Sequence, residues 1–244
     1  MERIERVSDA EAGAPVRDVA QRLAELRARI ERACVQVGRD ASTIRVLAVT
    51  KGFGPEAIEA AIQANIADIG ENYLQEAQAK FARVMWPSPV RRHFIGSIQR
   101  KARKIASLFD VVQTVTSSMT GRELDRVAGE SGKTLDVLIQ VNAAHDDRNG
   151  VAPEQCITLG SELAALANLR LRGVMSVGPA DLAFSSAAFE RARSAFDALA
   201  HEHESVDTLS MGMTGDLEAA VAAGSTMVRV GTALFGQRPA KGKE

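Results

Sequence analysis

The sequence predicts an α/β protein folded as a single (β/α)8 TIM barrel with one extra helix ahead of the first strand. Three observations carry this expectation. Short apolar runs rich in β-branched residues alternate with amphipathic helical stretches along the whole chain, which makes the sheet parallel. Eight such runs fit into 244 residues, seven of them joined to the next by a helix, which is the content of a closed barrel. No Gly-x-Gly-x-x-Gly turn follows the first strand, which disfavours the runner-up, an open doubly wound sheet. No linker or compositional shift divides the chain, so the expected organisation is a flexible N-terminus over 1–14 and one domain over 15–240.

The elements follow in order. Val19, Ala20, Leu23, Leu26, Ile30, Ala33, Cys34 and Val37 recur at helical spacing, giving an amphipathic helix that stops near Gly38. The run 44–50 is the first strand, and Gly52-Phe53-Gly54-Pro55 breaks it, with Pro55 suited to the first turn of a helix reaching Asn65. A short strand over 67–70 follows, then a helix opened by Glu71-Asn72. A strand over 92–95 precedes a basic helix with Arg100, Lys101, Arg103 and Lys104. Strands are expected over 109–115, 134–141, 169–177, 206–209 and 226–230, with helices over 117–129, 153–167, 184–203 and 214–223 between them.

Composition narrows the function. The 30 basic and 31 acidic residues nearly cancel, so no long-range field points to nucleic acid or an anionic membrane. The run 100–104 reads as a solvated helix face. No apolar run is long enough to span a bilayer, and residues 1–6 contain no signal core. The two cysteines, Cys34 and Cys156, fall in helical patterns and read as buried reduced thiols, so the expected setting is cytoplasmic. No spaced set of His and carboxylate ligands appears; His93 reads as a core residue, His201 and His203 as surface.

In a parallel barrel the chemistry gathers at the C-terminal ends of the strands. Lys51 follows the first strand directly, and a lysine between apolar walls can lose its proton and form a Schiff base; the plainer reading is a surface lysine ending a strand. Ser210, Gly212, Thr214, Gly231 and Thr232 follow the seventh and eighth strands, where this fold commonly binds phosphate. Singly, Gly212 and Gly231 read as turn residues and Thr214 as a helix N-cap. In Met227-Val228-Arg229-Val230, alternation turns Arg229 into the barrel if the valines meet the helices. Its partner is then a barrel carboxylate or a bound cofactor. A lysine, a phosphate cup and an inward arginine around one mouth match the needs of pyridoxal phosphate.

Six stretches carry a family resemblance: Leu47-Ala48-Val49-Thr50-Lys51, Gly70-Glu71-Asn72-Tyr73-Leu74-Gln75-Glu76, His93-Phe94-Ile95-Gly96, Leu171-Arg172-Gly173-Val174-Met175, Leu209-Ser210-Met211-Gly212-Met213, and 227–236. In order they span nearly the whole chain, and on them the sequence resembles the pyridoxal-phosphate homeostasis protein family. The resemblance implies a barrel like the N-terminal domain of alanine racemase, with pyridoxal 5′-phosphate held as an internal aldimine at Lys51. It implies Asn72 near the cofactor ring or its hydroxyl, Ser210, Gly231 and Thr232 at the phosphate, and Arg229 facing the pyridine nitrogen; the expected cofactor-binding set also takes in Met211, Gly212, Met213 and Thr214. It also implies a protein that binds, stores or delivers the cofactor, passing it transiently to PLP-dependent apoenzymes as a monomer or weak dimer. The chain departs from the family at Ile98-Gln99-Arg100-Lys101, which is one residue short of the usual stretch, at Arg148-Asn149-Gly150, where a lysine usually precedes the glycine, and at Thr214, where serine is usual.

A guanidinium cannot take up the proton a pyridinium would carry, so an arginine opposite that nitrogen makes the ring a poor electron sink. The sole tyrosine, Tyr73, falls in an early helix by pattern, and the chain ends just after the last barrel strand, so no second base for racemisation is expected. The expected function is therefore a cofactor carrier without robust turnover. The alternatives are a PLP-dependent racemase-like enzyme and a cofactor-free Schiff-base aldolase.

Overall fold

The computed structural model describes residues 18–144 and 146–238. The segment expected as a flexible N-terminus, 1–14, and His145 lie outside the described residues. Eight parallel strands close into a barrel in chain order: β1 (Arg45–Val49), β2 (Asp68–Glu71), β3 (Arg91–Phe94), β4 (Val111–Val115), β5 (Leu135–Val141), β6 (Leu169–Ser176), β7 (Thr208–Ser210) and β8 (Met227–Val230). Around it lie α1 (Val19–Gln36), α2 (Pro55–Gln63), α3 (Leu74–Phe81), α4 (Ala102–Leu108), α5 (Ser118–Glu130), α6 (Cys156–Ala164), α7 (Ser185–Glu202), α8 (Leu217–Ala222) and α9 (Thr232–Phe235). The barrel is the expected architecture.

Period-2 alternation sorts the strand residues. Ala48, Ile69, Val228 and Val230 face the helices and join the main core, while Leu47, Val49 and Met227 form a small apolar cluster of their own. All seven residues of β5 are buried, as expected of a strand covered on both faces. Gly173 interrupts β6 as its sequence suggests: at φ +145 it sits where the pairing with β5 slips by one residue, and a Cβ there would run into the Thr208 carbonyl. On α1 the apolar stripe Val19, Leu23, Leu26, Ile30, Ala33 and Cys34 is buried, and the chain leaves the helix through left-handed Gly38.

Two boundaries differ in a way that shapes the mouth. The helix after β2 begins at Leu74, not at Glu71-Asn72, because Glu71 is still paired with Phe94 across the sheet. The helix after β7 begins at Leu217, not at Thr214, because the Asp216 carboxylate captures the Met213 N–H (2.6 Å) and closes a turn first. Thr214 is therefore no N-cap, and both segments remain as loops at the rim. The N-terminal end of the barrel is closed by ion pairs: Asp136 accepts from Arg91 (2.5 Å) and Arg170 (2.7 Å), and Arg172 pairs with Asp207.

Candidate functional site

Register places the residues of the mouth. Val49 pairs with Gly70 on one side, and Ala48 with Val230 on the other. Lys51 comes two residues past Val49, Asn72 follows β2 and Gly231 follows β8, so all three lie just beyond the ends of strands that pair side by side. Lys51 is half-buried. Burial, with the nearby charges of Arg238 and Arg229, holds its amine below the ordinary lysine range, against the pull of Glu71 and Glu76. The expected nucleophile therefore sits at the expected strand end, with a larger neutral fraction than a surface lysine has.

Arg229 is inside the barrel and buried, as alternation required. Among the described residues it pairs with no carboxylate. One terminal nitrogen donates to the Ser210 carbonyl (2.7 Å) and hydroxyl (3.0 Å), the other to the Ser176 carbonyl (2.8 Å), and its Nε–H donates to no acceptor among the described residues. Burial lowers its pKa to about 10, so it stays charged at neutral pH. Behind it runs a directed chain of hydrogen bonds. The Ser210 hydroxyl donates to Gln113 Oε1 (2.7 Å), Gln113 Nε2 to His93 Nδ1 (2.9 Å), and His93 Nε2–H to Asp68 (2.7 Å). Only the Nε2–H tautomer of a neutral His93 satisfies both neighbours, and burial does push this imidazole toward the neutral form. His93 is thus a satisfied core residue, as read from the sequence.

The two loops expected to form a phosphate cup adjoin each other, since the Arg229 N–H donates to the Gly212 carbonyl (2.9 Å). Among the described residues the N–H groups of Gly212, Thr214, Thr232 and Ala233 donate to no protein acceptor. A Cβ on Gly231 would lie 3.0 Å from the Val49 carbonyl oxygen, so backbone can come close there only without a side chain. Not every named residue turns toward this space. The Met211 side chain is in the core under the helices, leaving only its backbone near the mouth. The Ser210 hydroxyl is committed to Arg229 and Gln113. Met213 is exposed at the rim. Tyr73 is not inside a helix: it precedes α3, is exposed, and stands one residue beyond Asn72.

Sequence reasoning missed a cluster behind Lys51. Lys80 on α3 is buried, contacts Glu71 and Glu76, and donates to the Thr50 and Phe53 carbonyls. The i,i+4 spacing of Glu76 and Lys80 was the only local signal, and it reads as an ordinary surface pair. Among the described residues no group of three His, Cys, Asp or Glu could hold a metal ion, and no helix is long and apolar enough to cross a membrane.

Comparison with known proteins agrees with this fold. Residues 22–239 match the family described as alanine racemase, N-terminal domain. A Pseudomonas aeruginosa pyridoxal phosphate homeostasis protein is 41% identical over 224 residues, covering 90% of this chain and 96% of its own. One from Vibrio cholerae is 39% identical over 230 residues, covering 91% and 98%. The structure of PipY from Synechococcus elongatus, with PLP bound, superposes with a TM-score of 0.78 at 33% identity, covering 90% of this chain and all of that one. Matched along nearly its whole length by both sequence and fold, the chain belongs to the pyridoxal phosphate homeostasis proteins, within the alanine racemase N-terminal-domain family.

Proposed function

We propose that the barrel mouth binds pyridoxal 5′-phosphate through Lys51 and that the protein serves PLP homeostasis as a carrier, without robust turnover. The observation that carries this is a half-buried lysine with a depressed pKa just past the end of β1, between the neighbouring strands that end before Asn72 and Gly231. The names of the relatives and the PLP held by PipY point the same way. When bound, pyridoxal phosphate supplies an aldehyde that a neutral lysine amine captures with loss of water.

The residues fit that group. The N–H donors at 212, 214, 232 and 233, without a protein acceptor among the described residues, suit a phosphate. The Arg229 guanidinium offers its Nε–H as a donor and accepts no proton, which suits holding the ring nitrogen unprotonated and weakens carbanion chemistry. Asn72 follows β2, the strand next to the one that ends before Lys51, and its amide would orient a ring substituent. A transient handover to PLP-dependent apoenzymes completes the carrier reading.

The test is to mix purified protein with pyridoxal phosphate, record the visible absorbance, reduce with borohydride and map the modified peptide. The parent is expected to shift the cofactor band and to carry the label at Lys51; Lys51→Ala is expected to show neither. A full band in Lys51→Ala would overturn the attachment site. Sustained amino-acid turnover at about 1–1000 per second would overturn the carrier reading. A racemase-like enzyme is the second reading, favoured by the exposed Tyr73 next to Asn72. Turnover by the parent that Tyr73→Phe abolishes would establish it.

A further inference from the structure

We propose that Lys80 is the positioning residue for Lys51, acting through an ionic clasp that fixes the β1–α2 turn from behind. The proposal rests on the reading of Lys51 as the attachment point.

The clasp takes hold of the residues on either side of Lys51. Lys80 Nζ donates to the Thr50 carbonyl (2.8 Å), the Phe53 carbonyl (3.1 Å) and Glu76 Oε1 (2.7 Å), and contacts Glu71 Oε1. Glu76 Oε1 also accepts the Gly52 N–H (2.6 Å), and Glu71 Oε1 accepts the Thr50 hydroxyl (2.5 Å). Thr50, Gly52 and Phe53 are therefore each held by a charged group anchored on β2 or α3, while the Lys51 side chain is left to the mouth. The turn needs such a hold. Gly52 has φ +78, and the closing bond from the Phe53 N–H to the Thr50 carbonyl (3.1 Å) spans only that turn. Glycine is permissive, so the local sequence does not fix where the Lys51 backbone points.

Stability alone does not account for the cluster. A buried ion pair is expensive to desolvate, and well-packed apolar residues of similar volume commonly serve a fold as well or better. Here the cost is not even fully offset: Glu71 is wholly buried, its Oε2 has no hydrogen-bond partner, and burial pushes its carboxyl up against the opposing pull of Lys80 and Thr50. What the arrangement provides is direction, because charged hydrogen bonds to four backbone and side-chain groups of Thr50, Gly52 and Phe53 define one conformation of the turn. Covalent capture depends steeply on such placement: an error of about 1 Å at the reacting atom can cost on the order of 100-fold in rate.

The experiment compares the full chain with Lys80→Met and Glu76→Ala, with far-ultraviolet circular dichroism as the check on folding. Two quantities are read: the rate of appearance of the Lys51-dependent visible band with pyridoxal phosphate, and the calorimetric affinity for pyridoxine 5′-phosphate. The second ligand carries an alcohol in place of the aldehyde and reports the cup without covalent capture. Lys80→Met is expected to slow capture at least about 10-fold, and Glu76→Ala several-fold, while both bind pyridoxine 5′-phosphate within about 2-fold of the parent. Capture by Lys80→Met at the parent rate overturns the proposal, as does a parallel loss of pyridoxine 5′-phosphate binding, which is the mark of a merely structural role. Should Lys80→Met not fold, Glu76→Ala decides, and parent-rate capture by it overturns the proposal. Absence of any band in the parent would instead refute the attachment at Lys51, and the positioning role with it.

Discussion

Lys51 works only as a neutral amine, and its surroundings decide how much of it is neutral. Burial is the leading cause of its lowered pKa, and the Arg238 and Arg229 charges add to it. The sign follows directly. The rate of cofactor capture is expected to rise with pH and level off above the lowered pKa, so its midpoint falls below the reference lysine value of 10.5. Arg238→Met, which removes one of the two repelling charges, is expected to move that midpoint upward; stopped-flow absorbance across pH checks both. A midpoint at 10.5 in the parent would mean that Lys51 is solvated like a surface lysine. The position of Lys51 was legible in the sequence because a β-branched run followed by Gly and Pro marks a strand end locally. The arginine that covers its turn, Arg238, was not legible, since 187 residues separate the two and only barrel closure brings them together.

At the scale of elements, α1 is the strap that secures the cup. It packs against α8 and α9 through its apolar stripe, and its Arg22 and Arg29, with Arg39 just beyond its end, reach backbone carbonyls in and beside those helices. Arg29 donates to Thr214 (2.8 Å), Arg39 to Val221 (2.6 Å) and Ser225 (2.8 Å), and Arg22 to Leu234 (3.4 Å). The stripe was readable as amphipathic periodicity, but the partner of that stripe was not. Ile30 lies in its middle and is buried. Ile30→Ala is expected to destabilise the fold by roughly 2–5 kcal/mol, with a lower urea midpoint and little change in slope. A loss below about 0.5 kcal/mol would show that α1 is dispensable to the barrel. Residues 71–73 and 214–216 were read as helix starts, because acidic and small polar residues at those points are ordinary N-terminal signals. A strand pairing at Glu71 and a side-chain capture by Asp216 outcompeted those signals.

Across the whole molecule, the interior polar chain joins the two ends of the barrel. Arg229 stands near the mouth, and Ser210, Gln113 and His93 hand its hydrogen bonding down to Asp68 near the opposite end. Asp68 is in turn held below the ordinary carboxylate range: burial opposes this, but the His93 bond and the Arg45 and Arg91 charges outweigh it. From the terminal nitrogen of Arg229 to Asp68 each link has one donor and one acceptor, so the chain has one consistent direction. Gln113 is its midpoint and is fully buried. Gln113→Leu leaves the Ser210 hydroxyl and His93 Nδ1 without their partner and is expected to cost about 2–4 kcal/mol in chemical denaturation. A neutral outcome would show that water or a rearranged Ser210 replaces the amide.

The sequence by itself determined the alternation of strands and helices, the closure into eight units, the strand end that bears Lys51 and the inward turn of Arg229. Each of these follows from periodicity or from breakers acting over a few residues. Tertiary structure alone decided what these residues touch: carbonyls rather than a carboxylate for Arg229, Gln113 and Arg229 for the Ser210 hydroxyl, and the Glu71–Lys80–Glu76 cluster behind Lys51. Those contacts join positions as much as 97 residues apart in the chain. No local pattern encodes them, because the partners of a buried charge are set by which strand ends the closed barrel brings side by side.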